Sequence, residues 1–91
     1  MNDAKPQDEM QREFGPQPLD TILTERGLSN HELVAVSTEH LTHKMVAKGR
    51  KGRKLTRNVQ KKIAAALNTF AAKDPEPRVY TLSHLFNYHG A

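Results

Sequence analysis

The chain has 91 residues, 36% of them hydrophobic, with no cysteine and no tryptophan, which allows one small domain and excludes disulfides and thiolate metal sites. Residues 40–73 contain ten of the fourteen Lys and Arg residues and no Asp or Glu, so they carry +10 although the whole chain carries only +4. No apolar run approaches the ~20 residues that cross a bilayer. The sequence therefore argues against a membrane protein and favours a polyanionic partner.

The first part of the chain divides into an arm and a helix. Residues 1–17 are polar, and we expect them to form a disordered N-terminal arm. Pro18 suits the first turn of a helix, where its missing N–H costs nothing, and Gly27 suits the helix end. Between them lies one apolar stripe, formed by Leu19, Ile22 and Leu23.

A capping signal marks the start of the second helix. Ser29 and Glu32 have the spacing of a capping box, in which each residue satisfies a backbone N–H near the other. Leu28 and Leu33 flank the box as a hydrophobic staple. The pattern predicts a helix over about 30–37.

The third predicted helix starts after Thr42, which can cap it. Leu41 and Val46 form its staple pair, and Gly49 is a plausible terminator. The helix is then about two turns long, and residues 49–54 follow as a charged, glycine-containing loop.

Two more helices are predicted beyond that loop. Thr56 caps a fourth helix of about fifteen residues, whose inward face consists of Val59, Ile63, Ala66, Leu67 and Phe70. The prolines of segment 74–77 end it. Thr81 caps a fifth helix, which reaches His89 and closes at Gly90. Its apolar side needs a partner, either the bundle or a second copy of the chain, and we favour a homodimer because this side lies outside the four-helix core. That side consists of Leu82, Leu85 and Phe86.

The predicted organisation is therefore an arm (residues 1–17), a domain (18–73), and a linker with a short C-terminal helix (74–91). Two stretches within the domain carry a family resemblance. They are Leu28-Ser29-Asn30-His31-Glu32-Leu33-Val34 and Leu41-Thr42-His43-Lys44-Met45-Val46, the latter followed by Gly49. They resemble the helix-turn-helix of the lambda repressor/Cro superfamily. The resemblance implies an all-α bundle of four to five helices, in which the third helix reads the DNA major groove.

The chain departs from that family pattern in the turn. His40 stands where glycine is usual, and the turn reaches Leu41 with about two extra residues. Val34 stands where the family prefers alanine. We therefore expect a wider connection between the two helices, or a longer second helix.

The candidate DNA-binding residues form three groups. Base reading requires groove-sized polar or small side chains on the third helix, here Thr42, His43, Lys44, Ala47 and Lys48. Phosphate binding requires cations, and five of them stand within eight residues: Arg50, Lys51, Arg53, Lys54 and Arg57. The start of the second helix can offer backbone N–H groups to a phosphate at Ser29, Asn30 and His31.

Other chemistries have little support in the sequence. His40 and His43 have a His-x-x-His spacing, but zinc sites need three or four ligands, so we expect no metal and no cofactor. No arrangement of nucleophile, base and orienting group is evident, so we do not expect an enzyme or a small-molecule substrate.

These observations together predict a sequence-specific double-stranded DNA-binding protein. We expect a bacterial transcriptional regulator in the cytoplasm, associated with the nucleoid. Two alternatives remain open: a protein-interaction module such as an antitoxin-like or adaptor subunit, and a protein that binds structured RNA. RNA binding would more often use exposed aromatic side chains for stacking, and residues 40–57 contain none.

Overall fold

A computed structural model describes residues 14–87, and within that range the chain forms five α-helices and no strand. The helices are α1 (Pro18–Arg26), α2 (Asn30–Val36), α3 (His43–Lys51), α4 (Arg57–Ala71) and α5 (Leu82–Leu85). This confirms the predicted all-α class. None of these helices has the length and apolar character that crossing a membrane requires.

The helix starts lie where the capping residues predict them. The Ser29 hydroxyl accepts from the Glu32 N–H at 3.2 Å, and the Glu32 carboxylate accepts from the Ser29 N–H at 2.8 Å. Thr42 caps α3 and Thr56 caps α4 through hydroxyls that accept backbone N–H groups three residues later. Each such cap contributes about 1 kcal/mol, because it satisfies a donor that the helix leaves open.

The end of α3 differs from the prediction. The helix continues through Gly49 and ends at Gly52, whose φ of 93° lies in the left-handed region. Gly49 is helical and buried, and an added Cβ would lie only 3.1 Å from Leu55 Cδ1 and 3.3 Å from Ile63 Cδ1. Gly49 therefore serves close packing rather than termination. Residues 49–51 are helix, and the predicted loop is wrong for them.

The core forms among all five helices. Its largest fully buried apolar side chains come from all five helices: Leu19 and Leu23 of α1, Leu33 of α2, Val46 of α3, Ile63 and Leu67 of α4, and Leu85 of α5. Helix α3 packs against α1, α2 and α4, so one side of this short helix is fixed by the core.

The C-terminal segment belongs to this core. Leu85 and Phe86 are 0% and 3% exposed, and α5 packs on α1 and α4. The Asn68 side chain also pairs with both backbone groups of Tyr80, at 3.0 and 2.7 Å. The prediction that this apolar stripe lies outside the core is wrong, which removes the reason for a dimer through α5. Helix α5 ends at Leu85, earlier than predicted, and residues 88–91 lie outside the described residues.

The domain also begins before Pro18. Gln17, which the sequence placed in the arm, is 1% exposed. Its amide nitrogen donates to the Gly15 carbonyl at 2.9 Å, and its amide oxygen accepts from the Asn87 N–H at 2.7 Å. The Phe14 N–H donates to the Gly52 carbonyl at 2.8 Å. Residues 14–17 therefore pack on the domain, and residues 1–13 lie outside the described residues.

One ion pair joins α1 to the segment after α4 and predicts an acid-dependent stability. Arg26 donates to both carboxylate oxygens of Asp74, at 3.3 and 2.7 Å, and holds the pKa of that carboxyl below its ordinary value of 3.8. A carboxyl whose pKa is lower in the folded state than in the unfolded state stabilises the folded state at pH above about 4. This stabilisation is lost as the pH falls through the pKa of the folded state. We expect Asp74→Asn to lower the melting temperature at pH 7 and much less at pH 3.

The matched control for that prediction is Glu76→Gln, which removes the same charge from an exposed side chain two residues away. Thermal melts of the parent and both variants at the two pH values decide the matter. An equal difference between parent and Asp74→Asn at pH 7 and pH 3 would contradict the assignment to the ion pair.

Candidate nucleic-acid interface

Contacts with the core fix the inner face of α3, and this determines which residues form its outer face. Leu41 before the helix and Val46 in its first turns are 5% and 0% exposed, and Gly49 is buried against α4. The opposite side of the helix is left to solvent. The exposed residues at its start and along this side are Thr42, His43, Lys44, Lys48 and Lys51, while Ala47 is half-buried.

A groove runs beside α3 toward the start of α4. Its volume is about 350 Å³, and Met45, Leu55 and Val59 give it an apolar floor. Its polar lining consists of Thr42, Lys44, Lys48, Lys54 and Thr56. Three lysines thus surround an apolar surface, an arrangement that suits the sugar and phosphate of a nucleic-acid strand.

The predicted phosphate-binding cations divide into two groups. Lys51, Lys54 and Arg57 are exposed on the end of α3, the following loop and the first turn of α4. Arg53 is half-buried, and its backbone N–H donates to the Lys48 carbonyl at 3.0 Å. The exposed three can reach a ligand without rearrangement, whereas Arg53 has part of its side chain covered by the protein.

Arg50 has a different environment from the one the sequence suggests. Its guanidinium donates to Asp20 Oδ1 at 2.6 Å, to Asn30 Oδ1 at 2.9 Å and to Thr24 Oγ1 at 3.2 Å. These acceptors lie on α1 and α2, twenty to thirty residues away in the chain. The prediction of a loop cation is therefore wrong for Arg50, whose donors are directed into the protein.

The start of α2 lies beside α3, although its side chains are already engaged. The Ser29 hydroxyl caps the helix, and the Asn30 amide oxygen accepts from Arg50. His31 Nδ1 lies 3.2 Å from His43 Nε2, and the two rings stack with their centroids 5.3 Å apart. The sequence named both histidines as candidates but gave no sign that they meet. The available signal was that both lie close behind a helix cap: His43 directly follows Thr42, and His31 lies two residues after Ser29.

A hollow of about 240 Å³ lies next to Arg50. It is lined by Pro16, Asp20, Asn30, Ala47, Arg50 and Lys51. It therefore combines the segment before α1, the first residue of α2 and the outer side of α3. Sequence reasoning missed Pro16 and Asp20, because neither is basic and neither is near α3 in the chain.

The turn between α2 and α3 contains a strained residue. His40 has φ of 61° and is the sole non-glycine residue with positive φ among residues 14–87. In the family that the sequence resembles, glycine is usual at this position. The connection spans residues 37–42, and α2 ends at Val36, so the turn is wider and α2 is not longer.

We expect His40→Gly to stabilise the protein by roughly 0.5–1 kcal/mol. A non-glycine residue in the left-handed region destabilises the folded state by about 1–2 kcal/mol, and glycine removes this strain. Glycine also loses more conformational entropy on folding, which offsets part of the gain in stability. Chemical unfolding of parent and variant measures the difference. Glu39→Gly, one residue earlier with ordinary φ, is the matched control and should destabilise; a loss of stability in both variants would contradict the strain.

The described residues offer no other evident chemistry at this face. Residues 14–87 contain no group of three or more His, Asp or Glu side chains arranged to hold a metal ion. Within that range, the His31–His43 pair therefore has no third ligand beside it. What the surface presents is a row of cations and small polar groups on one rigid helix.

Comparison with known proteins identifies no family for this chain. No family model matches the chain, and neither a curated protein nor a solved structure shows significant similarity to it. The geometry and charge of the surface itself therefore have to indicate the function.

Proposed function

We propose that this protein binds double-stranded DNA sequence-specifically, with α2 and α3 acting as a helix-turn-helix of the lambda repressor type. The observation that carries the proposal is the outer face of α3, where Thr42, His43, Lys44 and Lys48 are exposed while Val46 is in the core. Helix α3 enters the major groove, and the cations beside it bind phosphates. The biological role that we propose is transcriptional regulation in the bacterial cytoplasm.

Dimensions and charge support the proposal. A helix of nine residues is ~13 Å long, comparable to the ~12 Å width of the major groove. The face has exposed lysines at both ends of α3 and further cations at Lys54 and Arg57. If six phosphates are contacted, the logarithm of the association constant falls with the logarithm of the salt concentration at a slope of about −5. Electrostatics then supplies most of the non-specific affinity.

The test is selection of binding sites from a random duplex pool, followed by titration of the selected duplex against a scrambled duplex and an RNA competitor. We expect a defined consensus and a preference of at least a hundredfold for the selected duplex. Stronger competition by structured RNA would overturn the proposal in favour of RNA binding. Binding to neither nucleic acid would favour the interaction module, for which the groove beside Val79, a side chain that is 74% exposed, offers a surface.

Lys44 should determine part of that consensus. It lies in the first turn of α3 with its side chain exposed, and a lysine ammonium can donate to guanine O6 and N7. We expect Lys44→Gln to change the preference at one base pair by 1–3 kcal/mol and to leave other positions of the site unchanged. Selection with the variant measures this. A consensus identical to that of the parent would show that Lys44 does not read bases.

A further inference from the structure

Arg50 connects α3 to two other helices through three separate hydrogen bonds. Its Nε donates to Asp20 of α1, its Nη1 to Asn30 at the start of α2, and its Nη2 to Thr24 of α1. The Arg50 carbonyl also accepts from the Gln17 N–H at 3.3 Å. The side chain is 20% exposed, and each of its three nitrogens has its own acceptor.

We propose that Arg50 is a positioning residue, which sets the orientation of α3 and thereby the base preference of the protein without contacting DNA itself. The inference rests on the proposed function, and it replaces the expected role of Arg50 in phosphate binding. A guanidinium is planar and rigid, so three acceptors on two helices fix the direction from which it arrives. Fixing that direction fixes the last turn of α3 relative to α1 and α2.

The orientation of α3 affects base reading because a small tilt at the Arg50 end displaces Lys44 near the other end of the helix. Lys44 lies six residues before Arg50, which is ~9 Å along the helix axis. A tilt of about 10° at the Arg50 end would move Lys44 by ~1.5 Å, whereas a specific contact tolerates only about 0.5 Å. At the other end, the His31–His43 pair joins α2 to α3 but is exposed. Of these two polar links between the helices, the more covered Arg50 contacts are therefore the stronger constraint.

Electrostatics argues against Arg50 as a phosphate clamp. Asp20 lies 2.6 Å from its Nε, so a phosphate would have to compete with that carboxylate for the guanidinium. The neighbouring Lys51 is exposed and serves as a cation of the ordinary kind. Arg50 and Lys51 are thus adjacent in sequence but are expected to behave differently.

Three variants distinguish positioning from clamping: Arg50→Lys, Asp20→Asn and Lys51→Ala. Affinity for the selected and the scrambled duplex is measured by fluorescence anisotropy across a salt series, with circular dichroism to establish that each variant is folded. If Arg50 positions α3, Arg50→Lys and Asp20→Asn each reduce the ratio of the two affinities at least tenfold and leave the salt slope unchanged. Lys51→Ala lowers the slope by about 0.9 and keeps the ratio.

If Arg50 instead binds a DNA phosphate, the expected results for Arg50→Lys and Asp20→Asn are different. Arg50→Lys would then keep both the ratio and the slope, because lysine retains the charge. Asp20→Asn would release Arg50 toward the duplex, so it would strengthen binding to both duplexes and steepen the slope by about 1. Either of these outcomes would overturn the inference. The sign of the Asp20→Asn effect is the sharpest discriminator.

A measurement without DNA separates this inference from the proposed function. Residual dipolar couplings of α2 and α3 in the parent and in Arg50→Lys report the angle between the two helices. We expect that angle to change in the variant, and an unchanged angle would overturn the inference even if the protein binds DNA. If the parent prefers no duplex, the proposed function fails and with it the effect on base choice. The couplings still decide whether Arg50 orients α3.

Discussion

Replacing Lys51, Lys54 and Arg57 together with alanine should weaken duplex binding roughly 500-fold at 0.1 M salt. The three side chains are exposed around the end of α3 and the start of α4. Each phosphate contact accounts for about 0.9 units of the salt slope, so the slope should become shallower by about 2.7. Titrations of one selected duplex at several salt concentrations measure both quantities.

The control for this experiment removes the same charge elsewhere. Lys62 is half-buried on α4, whereas Lys73 and Arg78 are exposed after its end and in the following segment; all three lie away from α3 in the chain. Their triple alanine variant should keep the parental slope to within about half a unit. If both triple variants lose the same amount of slope, net charge explains the binding and the surface around α3 has no special role.

Leu85→Ala should lower the free energy of unfolding by 2–5 kcal/mol, because it leaves a cavity in the core. Leu85 is 0% exposed although its helix has only four residues. For a chain of this size the melting temperature should fall by roughly 10–25 °C. Chemical and thermal unfolding at two protein concentrations measure the effect.

Val79→Ala is the matched control, because Val79 lies close by in the chain but is 74% exposed. It should change stability by no more than about 0.5 kcal/mol. A dimer through α5, as the sequence suggested, gives a different result. The stability of the parent would then rise with protein concentration, and Leu85→Ala would abolish that dependence. The buried position of Leu85 within its own chain argues for stability that is independent of concentration.

The sequence predicted the starts of the helices better than their ends. Ser29, Thr42 and Thr56 act on backbone groups within three residues, so the capping signal is complete in the local sequence. The end of α3 depended instead on contacts of Gly49 with distant side chains. The sequence pointed to Gly49 as the terminator, but Gly49 packs in the core and the helix is capped by Gly52.

The candidate site could be predicted in outline only. The exposed face of α3 follows from the spacing of Leu41 and Val46, and the cations follow from composition. The partner of Arg50 could not be predicted, because Asp20 is thirty residues away and on a different helix. The sequence therefore identified which residues are cationic, but it could not tell which cations the protein itself neutralises.

The contact between Gln17 and Asn87 has a consequence for the order of folding. The two residues are 70 positions apart, and closing a loop of that length costs about 4 kcal/mol in chain entropy. The helix caps close within three residues, so they form early and this contact forms late. Once it has formed, opening of the segment at Asn87 would leave the buried Gln17 amide oxygen without the Asn87 N–H. The segments around Gln17 and Asn87, although far apart along the chain, therefore form one cooperative unit.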